Sequence, residues 1–571
     1  MDFKTQEFKS VVAINIDINQ VKVFLFQIVA GQYSLIAVGE SELYFQHDPS
    51  FIIKGIHSAL YHLEEITNKR FIADDKQFII PSRKDGTGAD QLILTYNGGK
   101  FLRVAIVGIM EDSSIRNAEQ LVNSTYSKVV EIIGLNDPRN QNIRIDSIIR
   151  ADPDIILFCG GSDQGASHSV LQMANIVSLV CKSLPFEKRP EIIYAANIEL
   201  QEKICRNFEK IARTHTTKNI ISSDKNEIEP DIRDDYNRVI NEFRYREFSG
   251  IKDFCSFCST SPMPRSHGIA NMAKFFSHIY KSSKEVLLID ISSDSTTMAT
   301  AKSGHTAAKV IPFGTDFGYL AEMNINLLKK WIPKPISNDD IKDYLFQKTL
   351  FTNTLSLTEN AQLIDRGLIR YILSTALQKI KSSQPSIGNS FEPIIISGDI
   401  FSQIPDERDI LLSVLDGIQP EGITTIIVDK LGIAGTLGAI AKANPLLPVQ
   451  IIDSGIFTNL GTVICPVSKQ KGGTDIINLR IDRSNGEQDR YTVKKGNILK
   501  IPLELGKSTK LDIQCLKDTT IDRSKKKRFF SIEVEGGQHG LIIDARSRPI
   551  AIAEDGVIRT NQLENWYKAI K

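Results

Sequence analysis

The stretch Ala13 to Gln27, with the sequence AINIDINQVKVFLFQ, contains the pattern that decides the fold. In it Asn15, Asp17 and Asn19 alternate with isoleucines, and an apolar run follows from Val23. A period of two predicts a strand with one buried face, so the stretch predicts two strands joined by a short polar turn. A phosphate-binding loop has the same outline. The question is whether this turn binds phosphate or only connects two strands.

The composition is that of a globular protein with several domains. The 571 residues exceed the length of about 250 to 300 residues at which a single core stops growing. Hydrophobic residues make up 42% and charged residues 24% of the chain, the ordinary mixture of a folded protein. Lys and Arg number 69 and Asp and Glu 68, so no global field attracts nucleic acid or an anionic membrane.

Targeting and metal-binding patterns are weak throughout. The first ten residues, MDFKTQEFKS, lead into no apolar core, and nowhere do 18 apolar residues follow one another, so we expect a cytoplasmic protein without a membrane span. The seven cysteines form no disulfide framework, and the C-x-x-C of Cys255 and Cys258 lacks a second pair for zinc. The basic run Arg523 to Arg528 indicates a solvated hairpin loop.

The first half of the chain predicts a β-meander followed by an α/β region. We expect the meander at 11–46, a helix at 51–68, and strands at 77–81, 91–96 and 101–109. Helices near 116–134, 167–182 and 198–213 then alternate with strands at 154–159 and 191–195, which predicts a parallel sheet with right-handed crossovers. The polar stretch 216–235 is the best candidate for a hinge between lobes.

A second α/β series begins at Glu285. We expect strands at 285–291, 298–301, 393–397 and 424–428, and helices at 317–330, 358–382, 407–416 and 433–443. Residues 450–552 alternate in short strands with Gly-rich turns, which predicts a separate β domain, closed by a helix at 561–570.

Four segments place polar residues at the ends of strands, where open α/β sheets bind ligands. The first is the turn after Ile14. The second, LFCGGSDQGAS, starts at Leu157. Its glycines let backbone amides approach a ligand, and a helix N-terminus follows that attracts anions; a tight turn with an Asp cap explains it equally well. The third, LLIDISSDSTTMA, carries Asp290 and a hydroxyl-rich turn suited to Mg²⁺ and phosphate, although Ser and Asp are ordinary turn residues. The fourth, IIISGDI, ends a strand at Gly398.

These segments give the candidate site residues. Asp290 is the candidate catalytic and Mg²⁺-binding residue. The candidate nucleotide-binding residues are Asn15, Asp17, Asn19, Lys22, Gly160, Gly161, Ser162, Asp163, Gly165, Ser292, Ser293, Ser295, Thr296, Asp316 and Gly398. The order of the segments, with strand-loop-strand elements near the amino terminus and near 290 and a strand-Gly element about a hundred residues later, is that of two-lobed ATPases.

Several stretches resemble the glutamate mutase L family, the accessory proteins of coenzyme-B12-dependent glutamate mutase. DPDIILFCGGSDQGASHSVLQMANIV, from Asp152, is similar to that family's strand and G-G-T-D-G-G segment, and RPEIIYAANIELQEKI is similar to the strand with Y-A-G-N that follows. LLIDISSDSTTMATA stands where the family has D-V-G-G-A-T-T-D, and IIISGDIF and VDKLGIAGTLGAIAKANP resemble its late elements. The resemblance covers residues 11–445.

The resemblance implies an α/β protein with the two-lobed fold of actin, Hsp70 and the sugar kinases, with an inserted α/β subdomain and a separate C-terminal β-rich domain. It implies ATP and Mg²⁺ as candidate cofactors, with the alternative that degenerate phosphate loops leave them absent, and a partner enzyme, such as a B12-dependent mutase. The expected parts are a first lobe at 1–110, an inserted subdomain at 111–215, a linker and helical connection at 216–282, a second lobe at 283–446 and a β-rich domain at 447–571. Self-association stays open.

The phosphate loops depart from the family pattern. Aligned to D-I-G-S-T-x-T-K, the first loop has Asn15 in place of a carboxylate and Asp17 in place of a glycine, and it retains Lys22. The second loop retains Asp290 but carries Asp294 in place of Ala. Two like charges about 4 Å apart cost on the order of 4 kcal/mol at an effective dielectric constant near 20. Each added Asp therefore opposes the binding of a polyphosphate.

Three functions follow from this pattern. We favour a weak or non-hydrolysing nucleotide binder that acts as a scaffold or adaptor for a partner enzyme. An active ATPase that remodels a B12-dependent mutase is the alternative, in which Asp290 positions Mg²⁺ and the hydroxyls of Ser292, Ser295 and Thr296 hold phosphate. The third is a small-molecule kinase, for which Asp163 or Asp316 would supply the base; Asp316 serves equally as a helix N-cap.

Overall fold

The computed structural model describes residues 8–43, 48–97, 100–163, 165, 167–221, 228–280, 284–312, 323–350, 356–482, 488–521 and 528–571. Two compact units emerge. The first comprises Met1–Gly268, Ala307–Val310 and Gly435–Gln450, and the second comprises Ile269–Thr306, Ile311–Ala434 and Ile451–Lys571.

The first unit contains two five-stranded sheets. Its strands are β1 (Ser10–Ile16), β2 (Gln20–Val29), β3 (Gln32–Glu42), β4 (Gln91–Tyr96), β5 (Leu102–Val107), β6 (Ser127–Ile133), β7 (Ile155–Gly160), β8 (Glu191–Ala196), β9 (Thr214–Thr216) and β10 (Met263–Pro264). One sheet has the order β10-β4-β1-β2-β3 and the other β6-β5-β7-β8-β9. In the first sheet β1, β2 and β3 form an antiparallel meander, while β4 is parallel to β1. The second sheet is parallel throughout.

Helices pack on these sheets because each presents one apolar face. In helix Phe51–Thr67 the buried residues include Ile52, Ile56, Leu60 and Leu63, which recur at the helical period. The remaining helices of this part of the chain are Arg116–Asn123, which follows a π-helical turn at Glu111–Ile115, and Gln141–Ala151, Ser167–Ser183, Ile198–Phe208, Pro230–Glu247 and Ile251–Cys255, with a 3-10 turn at Phe186–Lys188.

The second unit is built around an eight-stranded sheet. Its strands and those of two small sheets are β11 (Glu285–Ile291), β12 (Ser295–Lys302), β13 (His305–Pro312), β14 (Phe391–Ser397), β15 (Gly422–Val428), β16 (Thr458–Cys465), β17 (Val467–Ser468), β18 (Asp475–Asp482), β19 (Gln488–Lys494), β20 (Ile498–Ile501), β21 (Ser508–Cys515), β22 (Thr519–Thr520), β23 (Phe529–Glu535) and β24 (Leu541–Asp544). The large sheet has the order β13-β12-β11-β14-β15-β16-β24-β20. Its helices are Ile325–Lys329, Asn338–Leu350, Glu359–Ser383, Asp399–Ser402, Glu407–Gly417 and Gly556–Ile570.

Three helices contain residues of both units: Arg265–Tyr280, Ala434–Ile440 and Leu446–Asp453.

The two units repeat one strand order. In the first, β3, β2, β1, β4 and β10 are neighbours, and in the second β13, β12, β11, β14 and β15 stand in the same sequence. β1 pairs antiparallel with β2 and parallel with β4, and β11 likewise pairs antiparallel with β12 and parallel with β14. The mixed α/β fold with two equivalent strand-turn-strand elements is the predicted actin-like class. The parallel sheet of residues 102–216, where an inserted subdomain is predicted, lies within the first unit. The predicted C-terminal β-rich region is present, and its β16, β24 and β20 continue the large sheet.

Two local predictions were wrong. Residues 77–81 form no strand, and only an isolated bridge joins Phe78 to Ile72. The helix predicted at 116–134 ends at Asn123, and β6 follows, because Val129, Ile132 and Ile133 extend beside β5. Helix Gln141–Ala151 was not predicted; the side chain of Asn140 caps it by accepting from the N–H of Ile143. The polar stretch 216–235, as far as it is described, lies in the first unit.

Candidate functional site

The turn of the first strand-turn-strand element contains a buried aspartate, Asp17. Ile16 pairs with Val21 across the turn, and the N–H of Asp17 donates to the carbonyl of Gln20 at 2.8 Å. Oδ1 of Asp17 accepts from the N–H of Ile18 at 2.6 Å, and the whole residue is buried. A carboxylate of the chain itself thus accepts from a backbone donor of the turn.

Asn15 and Lys22 face one another in adjacent strands and both have partners within the protein. Asn15 lies in register with Lys22 on β2 and with Thr95 on β4. The hydroxyl of Thr95 donates to Oδ1 of Asn15 at 3.0 Å. Nζ of Lys22 lies 3.9 Å from Oε1 of Glu40 on β3, and the Lys22 side chain is only 10% exposed. The carbonyl of Asn19 accepts from the N–H of Leu43 at 2.7 Å.

The second strand-turn-strand element has the same backbone geometry. The N–H of Ser292 donates to the carbonyl of Ser295 at 3.0 Å. The hydroxyls of Ser292 and Ser295 donate to Oδ1 of Asp294 at 3.3 and 3.0 Å. The predicted hydroxyl residues Ser292, Ser293, Ser295 and Thr296 are all buried. Asp294, which lies between them, accepts from two of their hydroxyls.

Asp290 lies on the buried central strand of the second unit. It is in register with Thr297 on β12 and with Ser397 on β14, and only 1% of its surface is exposed. Ser397 donates to Oδ2 of Asp429 at 2.8 Å, and that oxygen also accepts from the N–H of Ala434 at 2.7 Å. The strand ends of the second unit therefore bring together Asp290, Ser397 and Asp429.

Gly398 is required by close packing of the backbone. Its φ of +109° is one that side-chain-bearing residues rarely adopt, and a Cβ built there would lie 2.2 Å from the carbonyl oxygen of Ile291. The residue lets β14 end against the neighbouring strand β11. This contact explains the glycine without a ligand.

The described residues at the start of the GGSDQG segment, 160–163, leave β7 in a turn held by two asparagines. Gly160 and Gly161 have φ of +108° and +81°. Asn197 donates to the carbonyl of Ser162 at 2.7 Å, and Asn219 donates to the carbonyl of Gly161 at 2.8 Å. The N–H of Gly165 donates to the carbonyl of Ser162.

Asp163 adds an acceptor at the start of a neighbouring helix, whose N-cap is Asn197. Its Oδ1 accepts from the N–H of Ile198 at 3.0 Å and from Nδ2 of Asn219 at 2.9 Å. Ile198 begins the helix Ile198–Phe208, so the carboxylate satisfies a donor at that helix terminus.

Two residues were missed from the sequence. Asn97 follows β4 directly, its N–H donates to the carbonyl of Ile16, and neither polar atom of its buried side chain has a partner among the described residues. The signal was a strand ending in Asn-Gly-Gly. Asp429 follows β15 in the same way. Asp316, proposed as a base, lies outside the described residues.

No described helix combines the length and apolar character needed to cross a membrane. Within the described part of the chain, no three His, Cys, Asp or Glu side chains converge as metal ligands. The residues paired with Asp290 on the two neighbouring strands are Thr297 and Ser397, and each carries a hydroxyl oxygen.

Comparison with known proteins identifies a family match. The family described as "MutL protein" matches residues 21–456. No curated protein matches the sequence. Similar solved structures include the ethanolamine utilization protein EutJ from Carboxydothermus hydrogenoformans, at 7% identity and a TM-score of 0.27, covering 76% of this chain and 89% of that one. A glycerol dehydratase reactivase has 10% identity and a TM-score of 0.31, covering 76% and 100%. A Bacteroides thetaiotaomicron protein with an actin-like ATPase fold has 8% identity and a TM-score of 0.25, covering 77% and 99%.

Proposed function

The chain belongs to the MutL family, the glutamate mutase L family that its sequence resembles, and on that basis we propose that it is an accessory, chaperone-like protein for a partner enzyme. The partner class is a coenzyme-B12-dependent mutase. The chain binds nucleotide weakly or without hydrolysis and serves as a scaffold or adaptor.

The observation that carries this proposal is the pair of aspartates in the two turns. Backbone amides and hydroxyls of such turns are the groups that hold phosphate in nucleotide-binding loops. Here Asp17 accepts from the N–H of Ile18, and Asp294 accepts from the hydroxyls of Ser292 and Ser295. Each turn thus uses its own carboxylate to accept hydrogen bonds that a phosphate would accept.

Electrostatics supports the same conclusion. A phosphate at either turn would lie beside an aspartate, and like charges about 4 Å apart repel by on the order of 4 kcal/mol at an effective dielectric constant near 20. The cation retained in the first loop, Lys22, has Glu40 nearby. The residues of both turns therefore fit a polyphosphate poorly.

The two strand-turn-strand elements also offer few carboxylate ligands for Mg²⁺. Mg²⁺ is usually held by one or two carboxylates together with substrate phosphates and water. Asn15 supplies an amide where the family has a carboxylate, and its Oδ1 already accepts from Thr95. Of these two register positions, only the one in the second unit carries a carboxylate, Asp290. If Mg²⁺ were bound, it would neutralise phosphate charge.

The kinase alternative is weakened at one of its two candidate bases. A general base needs a carboxylate within reach of the substrate proton. The described hydrogen bonds of Asp163 commit its Oδ1 to a helix terminus and to Asn219. A substrate-dependent release of ADP across a panel of metabolites would restore this alternative.

Isothermal titration of the full chain with MgATP tests the proposal, together with an ADP-release assay. We expect no binding in the micromolar range and no turnover above background. Micromolar affinity with turnover that Asp290→Ala abolishes would establish the active ATPase instead.

A further inference from the structure

The second unit contains a cavity remote in sequence from both turns. It has a volume of about 220 Å³ and lies against the long helix Glu359–Ser383, the helix Glu407–Gly417 and the C-terminal helix Gly556–Ile570. The C-terminal helix contributes Leu563, Trp566 and Tyr567 to its wall. This helix lies beyond the residues that match the family, 21–456.

A buried chain of ion pairs forms one side of the cavity. Asp416 is shared by Arg370 and Arg546, each at 2.6 Å. Arg546 also pairs with Asp544 at 2.8 Å, and Arg548 pairs with the same Asp544 at 2.8 Å. The exposed fractions of these five side chains range from 0 to 8%. The network is thus almost completely removed from solvent.

The network carries one positive charge in excess. Three arginines, at 370, 546 and 548, face two aspartates, at 416 and 544. Arg366 adds a balanced pair with Asp409 at 2.7 Å. The other charged residues lining the cavity pair with one another, Lys334 with Glu359 and Lys568 with Glu564. Among the described residues that line the cavity or join the network, one guanidinium charge therefore lacks a counter-ion, and a buried charge without a partner is costly.

Arg370 has a hydrogen-bond donor to offer a ligand. Its Nε donates to Asp416 at 2.6 Å and its Nη1 to the carbonyl of Arg366 at 2.9 Å. No described residue accepts from Nη2, and that nitrogen is not among the solvent-inaccessible unpaired atoms. Arg366 lies one helical turn earlier, and its side chain is 34% exposed. Donors of two arginines therefore face the cavity from one helix.

Aromatic walls complete the site. The guanidinium carbon of Arg370 lies 5.8 Å from the ring centroid of Trp331, and that of Arg546 lies 4.8 Å from the ring of Trp566. The indole N–H of Trp566 donates to the carbonyl of Gly496, which fixes that ring. Leu363 and Leu412 add apolar surface. Ligand sites typically combine such apolar walls with a few polar groups.

We propose that this cavity binds a small organic carboxylate with a planar apolar body, the carboxylate on Arg370 and Arg366 and the body against the two tryptophans. A single negative charge matches the single excess charge of the network. Guanidinium groups bind carboxylates through paired hydrogen bonds. The apolar walls favour an organic body over inorganic phosphate, and the cavity volume suits a small acid rather than a nucleoside triphosphate.

The chain provides its own reporter for this site. It contains two tryptophans, and both line the cavity. We would titrate the full chain with benzoate while following tryptophan emission excited at the red edge. Benzamide would serve as the neutral probe of the same shape, and inorganic phosphate as the anion without an apolar body. We expect a saturable change with benzoate and at least tenfold weaker effects with the other two.

A variant pair separates the cavity from general charge effects. Arg366→Gln removes one proposed donor at the partly exposed edge of the site. Arg480→Gln is the control, because Arg480 also pairs with an aspartate, Asp512, but lies on the small sheet. We expect Arg366→Gln to weaken benzoate binding at least tenfold and the control to leave it unchanged.

The proposal would be overturned by no saturable response to benzoate, by equal responses to benzoate and benzamide, or by equal loss in both variants. Phosphate binding as tightly as benzoate would also overturn it, since the apolar walls would then play no part. The benzoate and benzamide comparison uses the unmodified chain, so it decides the question even where Arg366→Gln fails to fold.

Discussion

Asn15 and Asp290 occupy the same register position in two sheets of the same strand order. Asn15 lies between Lys22 and Thr95, and Asp290 lies between Thr297 and Ser397. The turn after each begins with the same hydrogen bond, from Asp17 to Gln20 and from Ser292 to Ser295. The fold has thus been kept in both units, while the carboxylate has been kept at only one of the two positions.

Asp163 is expected to stabilise the fold through the two hydrogen bonds that its carboxylate accepts. Asp163→Ala removes the acceptor for the N–H of Ile198 and for Nδ2 of Asn219. Asn197 still caps the helix in this variant, and a hydrogen bond contributes about 0.5 to 1.5 kcal/mol net. We therefore expect a decrease of about 1 kcal/mol in the free energy of unfolding, measured by denaturant titration. Asp163→Asn keeps an acceptor oxygen and should recover most of the loss. Unchanged stability in Asp163→Ala would contradict this role.

Gly398 is expected to be intolerant of any side chain. Gly398→Ala places a Cβ 2.2 Å from the carbonyl oxygen of Ile291 at a φ of +109°, and we expect a loss of about 3 kcal/mol or more. Gly455→Ala is the matched control, because its φ is +81° but nothing lies within 4 Å of the added atom. It should cost only about 1 kcal/mol. Equal losses in the two variants would show that strain alone, without the contact, explains Gly398.

His267 is expected to make stability dependent on pH. Nδ1 of its buried ring lies 2.8 Å from Nδ2 of Asn237, and Nε2 lies 3.3 Å from the hydroxyl of Ser124. Burial lowers the pKa of His267 to about 3, from an ordinary value of 6.5. The unfolded chain therefore binds a proton at this residue below pH 6.5 that the folded chain does not.

The sign of the effect follows from that difference. The free energy of unfolding is unaffected by His267 above pH 6.5 and falls by about 1.4 kcal/mol per pH unit as the pH decreases toward 3. Denaturant titrations of the wild type and His267→Gln at several pH values measure it. The variant should lose stability less steeply on acidification. Parallel pH profiles for the two proteins would show that His267 does not titrate in this way.

Local patterns predicted the sheets because the alternation at Ala13–Gln27 and the apolar run of Leu287–Ile291 are properties of short segments. The helix predicted at 116–134 is present only to Asn123, since Ser127–Ile133 pairs with Leu102–Val107 and that pairing overrides the local helical pattern. The arginine network could not be predicted from the sequence for a related reason. Arg370 and Arg546 share Asp416 only after a long-range fold has formed.

For the candidate site residues, the sequence predicted their positions in turns but not the hydrogen bonds of their side chains. The positions of Asp17 and Asp294 in turns follow from their neighbours in the chain. Their carboxylates accept from the donors of those turns because of their side-chain rotamers. These rotamers cannot be predicted from the sequence alone. Asp163 likewise accepts from a helix N–H that lies 35 residues later in the chain, and this contact exists only in the tertiary fold.

The most direct test of the central claim is the MgATP affinity of a variant that removes only the two charges. Asp17→Asn with Asp294→Asn keeps the acceptor oxygens and the shapes of the turns, and Asp74→Asn is the control, because that carboxylate is 95% exposed. Isothermal titration should show no micromolar binding by the wild type or the control. Since each charge opposes phosphate by up to about 4 kcal/mol, the double variant should bind MgATP at least tenfold more tightly than the wild type. Equal affinities in all three proteins, or micromolar binding by the wild type, would contradict the claim that these aspartates prevent phosphate binding.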